Sequence, residues 1–293
     1  MATNNDTFLT PQELQQLEKL RIAPGRKFAG RLRGERISKQ KGVSIEFSDY
    51  REYTTGDDLR HLDWNILARL DRPTIRTYQD EDDLAVYILL DASASMSFGS
   101  PSKFTTAQKI AVALGFIGLC GQDRVTPVII GMPGERSVRG RASLTALNRW
   151  AGSAAPVSHV PVSQGIQSFL KARGSRPGMV VCITDGLDPD APAAIRSIGA
   201  RGHESVVIQI LSKVDLDPEM EGDLRLIDSE SDPAVEITAT DDAITIYRQN
   251  LAGHCREVER SANSAGGRYL RVESHQSVLD LITHDLRHIK VID

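Results

Sequence analysis

Asp91, Ser93 and Ser95 stand two residues apart in the run Asp91-Ala-Ser-Ala-Ser-Met96. A carboxylate and two hydroxyls at that spacing offer hard oxygen ligands, and Mg2+ suits them because it keeps several waters and takes only one or two carboxylates. A second aspartate, Asp185, closes another apolar run, Met179-Val-Val-Cys-Ile-Thr-Asp185. An ion held by so little ligand charge would stay electrophilic and could accept a carboxylate from a partner. The plainer alternative is that Asp91 and Asp185 cap the helices that follow them, while the two serines line a turn.

The elements around these residues decide whether they can meet. Leu84 to Leu90 is aliphatic at every position but Tyr87, with no polar alternation, which predicts a strand covered on both faces. Met179 to Thr184 has the same character. If the two strands pair in parallel, Asp91 and Asp185 share the carboxyl edge of one sheet, where open α/β sheets place their ligands. Helical patterns from Lys103 to Leu119, Ser143 to Ala151, Val162 to Ala172, Ala191 to Ala200, Ile244 to Ala265 and Gln276 to Ile289 alternate with strands at Arg124 to Ile130, Ser205 to Leu211 and Arg268 to Val272. Leu224 to Thr238 reads as a hairpin. The alternation predicts a Rossmann-like α/β fold, an open and mostly parallel sheet with helices on both faces. The amino end of the helix from Lys103 should favour an anion or a metal-bound carboxylate.

Two regions are expected: an N-terminal extension over residues 1–83 and the sheet domain over residues 84–293. In the extension, Thr10-Pro11-Gln12-Glu13 has the form of a capping box that opens a short helix. Arg21 to Lys41 carries eight Lys or Arg and one acid. Such an arm could bind a polyanion, but with Phe28 as its single aromatic and no groove-reading motif it better fits an arm lying on the domain or an acidic partner's landing surface. Thr55-Gly56-Asp57-Asp58 predicts a turn, with Asp57 or Asp58 capping a helical piece that holds Leu59, Leu62 and Trp64. Arg51, Arg60 and Arg69 set against Glu46, Asp57, Asp58 and Asp63 suggest ion pairs around that turn, with Trp64 as an anchor.

The ordered string Glu46-Phe47, Arg51, Tyr53, Gly56-Asp57-Asp58, Arg60, Asp63-Trp64 and Arg69, followed by the Asp91-x-Ser-x-Ser loop, resembles the bacterial and archaeal domain-of-unknown-function family fifty-eight. Family members usually have Pro where Thr55 stands and often a second Gly where Ser44 stands. The resemblance implies a von Willebrand factor A-type domain and a partner, a MoxR-type AAA+ ATPase. It also implies a metal-ion-dependent docking site for Mg2+ or Mn2+, with Ser93 and Ser95 on the ion, Asp91 and Asp185 on it or acting through water, and an acidic partner or client side chain completing the shell. The usual loop threonine aligns with Val160, with Ser158 and Ser163 as neighbouring hydroxyls.

Other function classes fit less well. Phosphoryl transfer with Asp91 as nucleophile needs a second carboxylate two residues on, and that position is Ser93. No Gly-x-x-x-x-Gly-Lys-Ser/Thr loop is present, so ATP hydrolysis must come from a partner. The net charge of −4 argues against a dedicated nucleic-acid binder. Cys120, Cys182 and Cys255 are odd in number and scattered, as reduced core thiols would be. With no apolar run of spanning length, the expectation is a cytoplasmic protein without direct membrane insertion.

Overall fold

Thr10 opens the first helix, α1 (Pro11–Leu17), as its neighbours require. The Thr10 hydroxyl accepts from the Glu13 N–H, and the Glu13 carboxylate accepts in return from the Thr10 N–H. The structure, a computed structural model, describes residues 7–26, 47–54, 62–78, 83–134, 136–172, 176–218, 222–227, 234–264 and 266–293. Contacts group the chain into two units, Lys27–Asp83 and the pair of segments Met1–Arg26 and Leu84–Asp293.

The extension anticipated as residues 1–83 is therefore divided at Arg26. The physical reason is a set of long-range bonds made just before that residue. Ile22 forms a bridge with Ile292, and the Ala23 N–H donates to the Val291 carbonyl at 2.8 Å. The N–H groups of Gly25 and Arg26 then donate to the carboxylate of Glu204, at 3.1 and 3.0 Å. That fully buried carboxylate also pairs with Arg268, whose guanidinium donates to the Ala23 carbonyl at 3.0 Å.

In the smaller unit, β1 (Phe47–Glu52) pairs antiparallel with β2 (Thr74–Tyr78), and α2 (Trp64–Leu70) lies between them in sequence. Asp63 starts that helix. Its buried carboxylate accepts from the N–H groups of Asn65 (2.9 Å) and Ile66 (3.2 Å), which otherwise have no intrahelical partner. Asp57 and Asp58, expected to cap a helical piece holding Leu59, lie outside the described residues; the cap of the described helix is Asp63. Trp64, expected as an anchor, is 63% exposed at the first position after the cap.

The larger unit runs through β3 (Ala85–Leu90), α3 (Lys103–Cys120), β4 (Arg124–Ile129), α4 (Leu144–Ser153), α5 (Val162–Lys171), β5 (Met179–Thr184), α6 (Ala191–Ala200), β6 (Glu204–Leu211), α7 (Lys213–Leu216), β7 (Gly222–Ile227), β8 (Ala234–Ala239), α8 (Asp241–Ser264) and β9 (Arg268–Glu273), then a helical segment over residues 278–288. Five of these strands form one parallel sheet in the order β4-β3-β5-β6-β9, and β7 pairs with β8 as an antiparallel hairpin. Every residue of β3, β5 and β6 is buried, as the apolar runs of β3 and β5 demand of central strands, and β6 buries Glu204, Ser205 and Gln209 along with its aliphatics.

Alternation along those strands sends Tyr87, Leu89, Val180, Cys182 and Val207 to one face, where Ile166, Leu170, Ile195, Ile198, Val258 and Ala262 cover them from α5, α6 and α8. The opposite face receives α3, whose Gly115 lets Leu147 of α4 and Ile88 of β3 approach the helix backbone closely. Each large aliphatic side chain buried between these layers contributes roughly 2 kcal/mol. No helix among the described residues is long and apolar enough to cross a membrane.

Candidate functional site

Parallel register sets the site. Leu90 lies beside Ile183, and the Asp91 N–H donates to the Ile183 carbonyl at 3.0 Å, so Asp91 and Asp185 leave neighbouring strands at the same edge. Asp91 then folds its own loop: Oδ1 accepts from the Ser93 N–H (2.9 Å) and Oδ2 from the Thr184 hydroxyl (2.5 Å). The hydroxyls of Ser93 and Ser95 touch at 3.0 Å. Asp91, Ser93, Ser95 and Asp185 thus lie at one rim of the sheet. Neither aspartate caps a long helix: α3 is capped by Ser102, and Asp185 turns its own loop by accepting from the Leu187 N–H at 3.3 Å.

The loop between α4 and α5 runs alongside. Ser158 bridges Ser93 in parallel, with its N–H donating to the Ala92 carbonyl at 2.8 Å. The Ser158 hydroxyl accepts from the Val160 N–H at 3.1 Å, and the Val160 side chain packs against the apolar layer beneath. Ser163 sits on the first turn of α5, where its N–H donates to Asp188 at 2.9 Å. The position aligned with a ligand threonine therefore brings no oxygen to the rim.

The residue that the sequence reading passed over is Lys103. Its ammonium lies 2.8 Å from Asp185 Oδ2 and 3.1 Å from Asp215 Oδ2, and the whole residue is 0% exposed. Asp215 is held in turn by the N–H and hydroxyl of Ser212, both at 2.7 Å. The amino end of α3, expected to favour an anion, thus carries a buried cation of its own. A lysine opening an otherwise apolar helix was the available signal, because a cation there opposes the helix dipole and must find acids elsewhere.

This donor set does not fit a resident divalent ion. One Asp185 oxygen is taken by an ammonium, both Asp91 oxygens accept hydrogen bonds, and Val160 replaces the loop hydroxyl. Among the described residues no group of three or more His, Cys, Asp or Glu side chains is placed to hold a metal.

Burial and the neighbouring Asp185 charge raise the Asp91 carboxyl to about 6, against the hydrogen bonds from Thr184 and Ser93 that favour its ionised form. Burial likewise pushes the Cys182 thiol beneath the rim far up, which keeps it an inert core group.

Gly99 closes the loop at φ +99°, and an added Cβ would stand 2.7 Å from the Ser212 Cβ and 3.0 Å from the Pro101 carbonyl. Gly99→Ala is therefore expected to cost about 2 kcal/mol in chemical denaturation, since both the backbone region and the space exclude a side chain. A wild-type midpoint for that variant would contradict the close approach of the two loops.

Of the string that carries the family resemblance, Phe47 and Arg51 fall in β1, paired with Tyr78 and Ile75, and the Tyr53 N–H donates to the Pro73 carbonyl at 2.9 Å. Asp63 is the helix cap described above, and Arg69 lies exposed in the last turn of α2. Glu46, Gly56, Asp57, Asp58 and Arg60 lie outside the described residues, and so does most of the basic arm.

A family model described as protein of unknown function DUF58 matches residues 49–257. Uncharacterized proteins of Mycobacterium tuberculosis and Mycobacterium bovis are 26% identical over 279 residues, covering 92% of this chain and 87% of theirs. Among solved structures, the conserved hypothetical protein BatB from Bacteroides thetaiotaomicron is similar at 15% identity and a TM-score of 0.44, covering 70% of this chain and 98% of its own. An aerotolerance-related membrane protein from Bacteroides fragilis is similar at 17% identity and a TM-score of 0.43, covering 71% of this chain and 98% of its own.

Proposed function

The chain belongs to the DUF58 family, and from that premise and the build of its sheet edge we propose that it is a non-enzymatic, von Willebrand factor A-like interaction module that docks a MoxR-type AAA+ ATPase at the Asp91–Ser95 rim. The observation that carries this reading is where the larger unit exposes its big apolar side chains. Phe98 follows the serine loop, Met132 follows β4, Val157 precedes Ser158, and Val214 follows β6, each about half exposed or more. Ile246 and Tyr247 stand on the first turns of α8, and the Tyr247 hydroxyl donates to the Asp215 carbonyl at 2.8 Å. Among the described residues of the larger unit, all six lie at the carboxyl edge of the sheet or on the helix tied to it. Exposed apolar groups gathered at one end and interleaved with hydroxyls mark a contact surface, because a monomer gains nothing by leaving them wet.

The same geometry supports a module without catalysis. Asp91, the one candidate nucleophile, is 1% exposed with both oxygens engaged, so no substrate can approach it in line. Calorimetry with the purified MoxR-type ATPase of the same host tests the proposal. The wild-type chain is expected to bind, and the Phe98→Ser, Val157→Ser, Val214→Ser triple variant to bind about tenfold more weakly or worse. Equal affinity of both chains, or binding by neither, would overturn it.

A further inference from the structure

Lys103 poses a physical problem that its neighbours solve. An ammonium at the first position of an 18-residue helix faces the positive end of the dipole, and full burial removes the water that would hydrate it. It is tolerable there only because two carboxylates reach it from separate loops, Asp185 after β5 and Asp215 after β6. Seen from the acids, the need is mutual. Asp91, Asp185 and Asp215 converge on one sheet edge, Asp91 and Asp185 repel one another, and a cation must sit among them for the loops to keep their shape.

We infer that Lys103 is the resident cation of this rim: its ammonium, delivered from inside the fold, holds Asp185 and Asp215 in place of a divalent metal ion, so the Asp91–Ser95 loop is built and docks without one. The loops agree with that role. Lys103 links the serine loop to α7 through Asp215, and the Tyr247 contact carries the link on to α8. The Ser93 and Ser95 hydroxyls lie 3.0 Å apart, close enough to hydrogen-bond each other. Val160 in the third loop supplies packing where an ion would need oxygen. The partner chemistry that suits such an edge is an apolar segment with hydrogen-bonding groups, which would cover the exposed Phe98, Val157 and Val214. The inference rests on the rim being the docking site, but the cation can be tested with the isolated chain.

Three measurements on the full chain decide it. The thermal midpoint of the wild type is expected to be the same, within about 1 °C, in chelator and in millimolar Mg2+ or Mn2+, because a ligand absent from the native state cannot shift it. Water-proton relaxation in a Mn2+ titration should show no saturable binding to the wild type. Lys103→Met, similar in length and uncharged, should lose roughly 8–15 °C in midpoint, because Asp185 and Asp215 are left without the buried ammonium between them. Saturable Mn2+ binding by the wild type that Ser93→Ala removes would overturn the inference. So would a Lys103→Met protein that keeps the wild-type midpoint. If Lys103→Met does not fold, the two wild-type measurements decide alone. None of these outcomes depends on whether the ATPase binds.

Discussion

Glu204→Ala is expected to destabilise the larger unit by about 3–5 kcal/mol, the usual cost of leaving one member of a buried ion pair without its partner. Glu204 opens β6 as a fully buried carboxylate at the centre of a staple made of three distant segments. Its oxygens accept from the Gly25 and Arg26 N–H groups and pair with the Arg268 guanidinium, which also donates to the carbonyls of Ala23 and Lys290. Removing the carboxylate leaves a largely buried guanidinium without its counter-charge and frees two backbone donors. The chain up to Arg26 should then detach from the sheet domain before the rest unfolds. Urea denaturation measures the loss, and tryptic cleavage at Arg21 and Arg26 should quicken in the native state. A loss below about 1 kcal/mol with unchanged cleavage would show that the arm is held by its apolar contacts alone, at Leu17, Leu20 and Ile22.

Asp91→Asn should abolish a decline in stability that the wild type shows as pH rises. The Asp91 carboxyl is raised to about 6 by burial first and by the Asp185 charge second, so the native state holds a proton that the unfolded state has already released. The contribution is fully present below the unfolded carboxylate range and is lost as pH climbs through the folded value. From about pH 4 to about pH 7 that loss amounts to about 3 kcal/mol. Asparagine keeps an acceptor for the Ser93 N–H and presents an amide to the Thr184 hydroxyl, which can turn to accept. Its stability should therefore stay level over the interval and exceed the wild type at neutral pH. Urea midpoints measured across that range check it; parallel slopes for the two proteins would place the titration elsewhere.

The central strands were legible because unbroken apolar runs leave no other reading, and their parallel pairing then put Asp91 and Asp185 at one edge. The hairpin, α6 and the capping box of α1 were legible for local reasons: turn residues, a periodic stripe and a reciprocal side-chain pair. What escaped was set by distance along the chain. Lys103 finds Asp185 and Asp215 only once the strands are ordered, and its spacing from them carries no local signature. The docking of residues 22–26 depends on Glu204 and the C-terminal strand partner Ile292, which no stretch of the N-terminal sequence announces. Trp64 misled for another reason. An aromatic in a helix of seven residues, none of them buried, has no packed face to belong to, and it is left 63% exposed.

The alignment of Val160 with a ligand threonine was itself informative. A loop that substitutes a packed aliphatic for a hydroxyl, beside a buried ammonium that satisfies one of the two strand-end aspartates, describes a rim built to keep its shape from within.

Amide hydrogen exchange on the full chain, alone and with the purified MoxR-type ATPase, tests the docking edge most directly. Protection is expected at residues 93–99, 131–134, 156–160 and 212–217, the four loops that carry Phe98, Met132, Val157 and Val214. Protection confined to the opposite, amino-terminal edge of the sheet, or to α2 around Trp64, would contradict it.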